Sequence, residues 1–481
     1  MRLRHALPFV FTCACSPAPF DIAPADAVAD EVGDAIGDAT DSRVEPPSCT
    51  GAATEPCGKC GKRTRVCVSP ETWGEWSACT GEGVCAPGAF ESVAGGCPGA
   101  LEKKSRTCSS SCAWAPDVCA MPKGWSPIAT APSGFESRLG HSAVWTGGEL
   151  IIFGGGKQFD AGDAARRDGA IYSLAKNAWE LIPPAIAARR SHAAAWTGAQ
   201  LYVYGGMDGS TLLADCVAYD AVKKTWIDAP AAPLAGRMLS GAVWIPTVKK
   251  LFIWGGTTDG TKALADGALL ARTMPDTWTK LPAAPIAARF DPVVLWTGKE
   301  VLVFGGKGVD GGLVDGALYD PVANTWRALP AAPVPAREPP MAAGLTTTGD
   351  FVFFGGIAGT SPVWSGARVT LGASPVWSVV SSPDAAALLP RVAFQAWVAN
   401  DTLAVWSGAK EKTDAFEFVA SGGALDLSKN AWGPLATTGA PSVRGLATTV
   451  WTGKGALVWG GLARPGGGVP ELVTDGAIYV P

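Results

Sequence analysis

Histidine is nearly absent from this chain: three in 481 residues, one of them (His5) at the extreme N-terminus. That scarcity argues against a multi-histidine metal centre. No apolar run approaches the roughly 18 residues needed to span a bilayer as a helix. Charged residues make up only 17% of the chain and sum to −4, so no basic surface invites nucleic acid as a partner. Nucleophile elbow, phosphate loop and zinc-ligand spacing are all missing. Cysteine almost vanishes after Cys119, with Cys216 alone beyond it. What is present is 60 glycines, 38 prolines and an apolar content of 47%. That composition suits many short buried strands joined by tight turns. The length exceeds one ordinary core and fits a large repeat array with appendages.

The first residues carry Arg2, Arg4 and His5, then an apolar stretch over 6–11, then Thr12-Cys13-Ala14-Cys15. A positive start, an apolar centre and a small-residue exit predict an export signal over 1–15. The cysteine at its end resembles the lipidation site of bacterial lipoproteins, which implies Cys15 as the acylated residue, although Thr12 stands where that family prefers Leu. Cys13, or no lipid at all, stays open on the same residues. Ser16, rather than Asp, follows, which in that family implies transport to the outer membrane. Residues 16–48 space Asp21, Asp26, Asp30, Glu31, Asp34, Asp38, Asp41 and Glu45 among Ala, Gly and Pro, against Arg43 as the one cation. Like charges repel and large apolar groups are few, so the segment is expected to be a disordered acidic tether.

Ten cysteines fall in residues 49–120: Cys49, Cys57, Cys60, Cys67, Cys79, Cys85, Cys97, Cys108, Cys112 and Cys119. An even count without histidine, in an exported chain, predicts disulfides and not zinc, with the pairing left open. Cross-links must stabilise a segment too short to bury a core, at about 2–4 kcal/mol each. The run Cys57-Gly-Lys-Cys60-Gly-Lys-Arg63-Thr-Arg65-Val-Cys67, followed by Trp73-Gly-Glu-Trp76, resembles part of a thrombospondin type 1 repeat. The resemblance implies guanidinium-on-indole stacking in place of a core. The Trp pair follows the Arg run here, which departs from that family's order. A rigid stalk is the expected role.

From Arg138 onward the chain repeats about every 50 residues. Apolar runs end in a glycine pair: Leu150 to Gly154-Gly155, Leu201 to Gly205-Gly206, Leu251 to Gly255-Gly256, Val301 to Gly305-Gly306, Phe351 to Gly355-Gly356, Leu403 to Ser407-Gly408, and Leu457 to Gly460-Gly461. A short β-branched and aromatic run bounded by Gly predicts a buried strand. Turns such as Trp145-Thr-Gly147 precede the runs. Motifs such as Asp315-Gly-Ala-Leu-Tyr319, and then a tryptophan, follow them. A glycine pair with spaced Tyr and Trp in a period near 50 resembles the Kelch repeat. The resemblance covers residues 121–481 and implies an all-β, seven-bladed β-propeller preceded by the small disulfide-rich segment. The last copy stops at Pro481 without its Trp strand, while Trp125 is spare ahead of the first. The strand near Trp125 is therefore expected to complete the last blade and close the ring.

Topology puts the loops after the glycine pairs, and the loops between blades, on one face. The most irregular of them are 156–167, 409–423 and 462–474, and the first includes Lys157, Asp160, Asp163, Arg166 and Arg167. Recognition is expected on that face. An arginine recurs at the start of each copy's inner strand: Arg138, Arg190, Arg237, Arg289, Arg337, Arg391 and Arg444. Such a ring either binds an acidic ligand at the channel mouth or bonds loop carbonyls and the recurring Asp168, Asp215, Asp266, Asp315 and Asp475. The propeller is also similar to that of galactose oxidase, whose chemistry implies copper held by two His and two Tyr, one of the tyrosines cross-linked to Cys. His141 and His192 stand at equivalent places in successive repeats, which points to packing, and Cys216 replaces the Gly of an Asp-Gly-Ala motif, as a buried thiol does. No cofactor and no metal ligand are expected. The functional expectation is an extracytoplasmic binding protein, secreted or anchored at the cell surface, recognising a protein or glycan. The alternative is a sugar-modifying enzyme, mutarotase-like or oxidase-like, acting in the channel, so enzymatic activity stays open.

Overall fold

Strands of four to five residues, apolar at nearly every position, cannot bury both faces in one sheet and must stack. The computed structural model describes residues 49–481 except 71, 158–163, 273–275, 340, 385–387, 413–414 and 465–469. The expected signal over 1–15, its Cys15, and the tether over 16–48 lie outside the described residues. The described chain is all-β and separates into two compact units, 49–122 and 123–481.

In the first unit the ten cysteines pair as Cys49–Cys67, Cys57–Cys79, Cys60–Cys112, Cys85–Cys108 and Cys97–Cys119. They staple two three-stranded sheets, Ala52–Cys57 with Gly61–Ser69 and Thr72–Trp73, and Phe90–Ser92 with Lys103–Thr107 and Val118–Ala120. Guanidinium stacking also occurs. Arg65 lies 4.7 Å from the Trp73 ring and 4.5 Å from Trp76, and Arg106 lies 4.8 Å from Trp114.

The second unit contains seven four-stranded antiparallel sheets among the described residues. Sheet 1 is Ser142–Trp145, Glu149–Phe153, Gly169–Ser173 and Ala178–Ile182, and sheets 2 to 6 repeat this order. In sheet 7, Thr448–Trp451, Ala456–Trp459 and Gly476–Val480 take their fourth strand from Gly124–Pro127, with Trp125 opposite Tyr479. The first strands of sheets 7 and 1 lie side by side, as do those of sheets 1 and 2. The core is a series of clusters, one between each pair of neighbours. Val144, Ile151 and Phe153 of sheet 1 meet Leu201, Val203 and Val217 of sheet 2. Trp125, Ala456 and Val458 of sheet 7 meet Trp397 and Trp406 of sheet 6. Phe135, Trp179 and Trp459 fill the junction of sheets 7 and 1.

Outer-strand tryptophans bind the ring together. Each indole N–H donates to a carbonyl just past the preceding sheet's last strand: Trp179 to Ala129, Trp226 to Pro183, Trp278 to Pro230, Trp326 to Pro282, Trp377 to Pro330, Trp432 to Ser381 and Trp125 to Ala436, at 2.7–3.0 Å. Tyr and Trp face each other across the third and fourth strands, at 5.2 Å for Tyr172/Trp179 and for Tyr479/Trp125.

Candidate functional site

The recurring arginines do not open each innermost strand. They lie ahead of it, Arg444 within the two-residue strand Arg444–Gly445, and all but Arg190 run their side chains back into their own sheets. Arg138 Nη1 donates to the carbonyl of Gly154 at 3.2 Å and, with Nη2, grips both carboxylate oxygens of Asp168 at 2.8 and 2.9 Å. The same fork joins Arg237 to Asp266 and Arg289 to Asp315, while at Arg444 Nη2 alone donates to both carboxylate oxygens of Asp475. The guanidinium thus ties the end of the second strand to the start of the third. Arg138, Arg237, Arg289, Arg337, Arg391 and Arg444 are all buried to 1% exposure or less. Of the two arrangements open to the arginine ring, the side chains adopt the second, bonding loop carbonyls and, in five sheets, the recurring Asp as clips inside the sheets.

Arg190 is a correction of register. Arg189 makes the sheet 2 clip, to Gly205 O at 3.0 Å and to Asp215 at 2.7 Å, while Arg190 bridges through its backbone to Met207. The Arg189-Arg190 doublet hid this. Spacing to the histidine reveals it, since Arg138 precedes His141 by the same three places as Arg189 precedes His192.

Clip carbonyls also link neighbours. Gly155 N donates to Arg189 O at 2.8 Å, and Gly206 N to Arg237 O at 2.8 Å. At Gly205, whose φ is +64°, a Cβ would meet Arg237 O at 2.6 Å, so only glycine permits the approach.

Two places beyond each clip arginine the chain turns left-handed, at Gly140, Ser191, Leu239, Asp291, Ala393 and Leu446. These residues hydrogen-bond head to tail. Ser191 N donates to Gly140 O at 2.8 Å, Leu239 N to Ser191 O at 2.9 Å, Asp291 N to Leu239 O at 2.8 Å and Leu446 N to Ala393 O at 3.2 Å. A backbone collar results. The sheet 5 position is Pro339, which has no N–H to give. Nothing in the sequence pattern announced the collar, because five of its six left-handed residues are not glycine.

His141 and His192 work between sheets. His192 Nε2 shares a hydrogen bond with Ser142 Oγ of sheet 1 at 2.9 Å, and His141 Nε2 shares one with Thr448 Oγ1 of sheet 7. Desolvation lowers His141 to about 3 and His192 well below its ordinary 6.5, so both imidazoles are neutral. Cys216 is a free, buried thiol whose pKa burial raises; it sits opposite Tyr204 in sheet 2. No cluster of three or more His, Cys, Asp or Glu suited to a metal occurs among the described residues. These donors do not fit a centre of two His and two Tyr on copper.

On the loop face, Arg166 pairs with Glu136, whose carboxyl is held below its usual range by hydrogen bonds from Arg166 and Lys157, while Arg167 is exposed. Short two-stranded ribbons follow the glycine pairs, Met207–Asp208 with Thr211–Leu212 and Lys307–Gly308 with Gly311–Gly312. The sheet 6 ribbon, Ala409–Lys412 with Ala415–Phe418, is longer. Asp160 and Asp163 lie outside the described residues.

Clips, glycine pairs and Tyr–Trp pairs recurring through stacked four-stranded sheets define the class as a propeller-type all-β fold. The Kelch motif family matches residues 188–233, which span sheet 2 with its clip. Among solved structures, the chain is similar to a fungal alcohol oxidase of the AA5 family determined in complex with copper, at 16% identity. The alignment covers 75% of this chain and 76% of that one, with a TM-score of 0.58, and the likeness is one of fold. No curated protein matches the sequence.

Proposed function

We propose that this protein is an extracytoplasmic binding protein whose seven sheets are the seven blades of a Kelch propeller and whose loop face recognises a protein or glycan. One observation carries the reading: both histidines and the five carboxylate-paired clip arginines are engaged inside the sheets, while ribbons of unequal length follow the glycine pairs. The chemistry available to a partner therefore belongs to the loops, including Arg166 and Arg167. Five disulfides support an oxidising compartment. Export through residues 1–15, lipidation at Cys15 and display at the outer membrane complete the proposal, with the disulfide unit as stalk. The copper oxidase fold match does not bring its chemistry here, since His141 and His192 are bonded to neighbouring sheets.

A glycan array, with affinity capture from surface extracts, tests the reading on the intact protein. Selective capture that Arg166→Ala/Arg167→Ala weakens supports it. Turnover of an acidic sugar or stoichiometric copper overturns it. Fractionation of Cys15→Ser tests the anchor: the proposal expects the protein to move from membrane to soluble fractions.

A further inference from the structure

Five clips hold a carboxylate and two do not. In sheets 5 and 6, Arg337 and Arg391 give Nη2 to the hydroxyls of Ser365 at 3.2 Å and Ser421 at 2.9 Å, and Nη1 to backbone carbonyls. Both arginines are 1% exposed, so two cations lie buried with no counter-charge among their hydrogen-bond partners in the described residues. Burial pushes each of these arginines down to about 10, with no carboxylate partner to oppose it. Phe353 and Trp364 offer ring faces 5.6 Å from the two guanidinium carbons, but a ring face near the outer limit of cation–π contact accepts no charged hydrogen bond.

The other sheets show what fits there and that solvent reaches it. Asp168 and Asp315 side chains are 36% exposed and Asp266 is 56% exposed, while gripping their arginines. Serine is shorter than aspartate by a carboxylate, and Ser365 and Ser421 are themselves partly exposed. Each serine oxygen accepts from the arginine, so its own proton is free to donate outward.

We propose that the Ser365 and Ser421 positions each bind a carboxylate from outside the chain, held by the serine hydroxyl and by Nη2 of Arg337 or Arg391, where the other sheets carry aspartate. The carboxylate is either a free small anion or the side chain of an acidic peptide. The inference is independent of loop-face recognition: failure of either leaves the other standing.

The test is thermal melting of the full chain in sodium acetate, with a bulky sulfonate salt balancing ionic strength. Acetate is expected to raise the wild-type Tm, by on the order of 2 °C per kcal/mol of anion binding. Ser365→Asp/Ser421→Asp is expected to melt higher without acetate and to lose the response. Ser365→Ala/Ser421→Ala keeps the cations, removes the donors, and is expected to respond more weakly. A capped Gly-Glu-Gly peptide, against its Gln counterpart, separates the sources. A larger shift with the Glu peptide than with acetate assigns a partner's carboxylate, and equal shifts assign a free anion. No acetate response in the wild type, or an equal response in the Asp double variant, overturns the proposal.

Discussion

A guanidinium buried beside two carbonyls and a carboxylate is worth more broken than formed. Its net contribution is modest, but removing the acid strands the cation. Asp315→Ala is expected to cost about 2 kcal/mol, below the 3–5 typical of fully buried pairs because Asp315 is partly solvated. Denaturant titration of the variant checks this, and a loss below about 0.5 kcal/mol would mean the clip is not structural. Histidine gives the pH counterpart. His192 is neutral when folded, with its pKa far below 6.5, and takes up a proton when unfolded. Its contribution is complete above pH 6.5 and is lost as pH falls below that value, at about 1.4 kcal/mol per pH unit. Asp266, held low by the Arg237 hydrogen bond, loses its share only below its ordinary 3.8. Between pH 6.5 and 5 the decline therefore belongs to the histidines. His141→Gln/His192→Gln is expected to flatten that slope in melting curves, and an unchanged slope would contradict the assignment.

At the scale of elements, the repeat works by handing one group to the next sheet. Glycine pairs receive the following clip's carbonyl, and outer-strand indoles reach back to the preceding sheet. Gly205→Ala combines a φ of +64° with a Cβ at 2.6 Å from Arg237 O, so the strand and the clip must both move. A loss of about 2–3 kcal/mol is expected, against about 1–2 kcal/mol for Trp226→Phe, which deletes the bond to Pro183 and trims the ring packed on Phe153 and Tyr219. Calorimetry of the two variants gives the order, and its reversal would show the indole bond to be the stronger link.

The whole molecule depends on closure. Deleting residues 121–130 removes the strand opposite Tyr479 and the Trp125 bond to Ala436, and leaves sheet 7 with a bare edge. A sharp fall in melting temperature, with aggregation, is expected. An unchanged melting curve would refute closure. The two units respond to different chemistry, because among the described residues every disulfide lies in 49–122 and the one free thiol in 123–481 is buried. Reduction is expected to unfold the first unit by removing about 2–4 kcal/mol per cross-link and to leave the melting of the second unchanged, as limited proteolysis will report.

Fold was legible because local spacing carries it: apolar runs, glycine pairs and Tyr–Trp pairs recur at one period, and period alone specifies stacking sheets. Trp125 could be matched to Tyr479 for the same reason, as the remainder of a count. The arginines show the limit. Sequence marked their recurrence but chose Arg190 over Arg189 and allowed them to face a channel. Burial decided otherwise, since the direction of a long side chain depends on which carbonyls and acids a loop brings within 3 Å of it. The cysteine pairing, the collar from Gly140 to Leu446, and the two clips without a carboxylate likewise exist only after residues distant in sequence meet. Sequence by itself determined a repeating all-β ring with a cross-linked appendage, because those follow from local pattern. Tertiary structure alone decided which polar groups remain for a partner, because that is set by what each has already bonded.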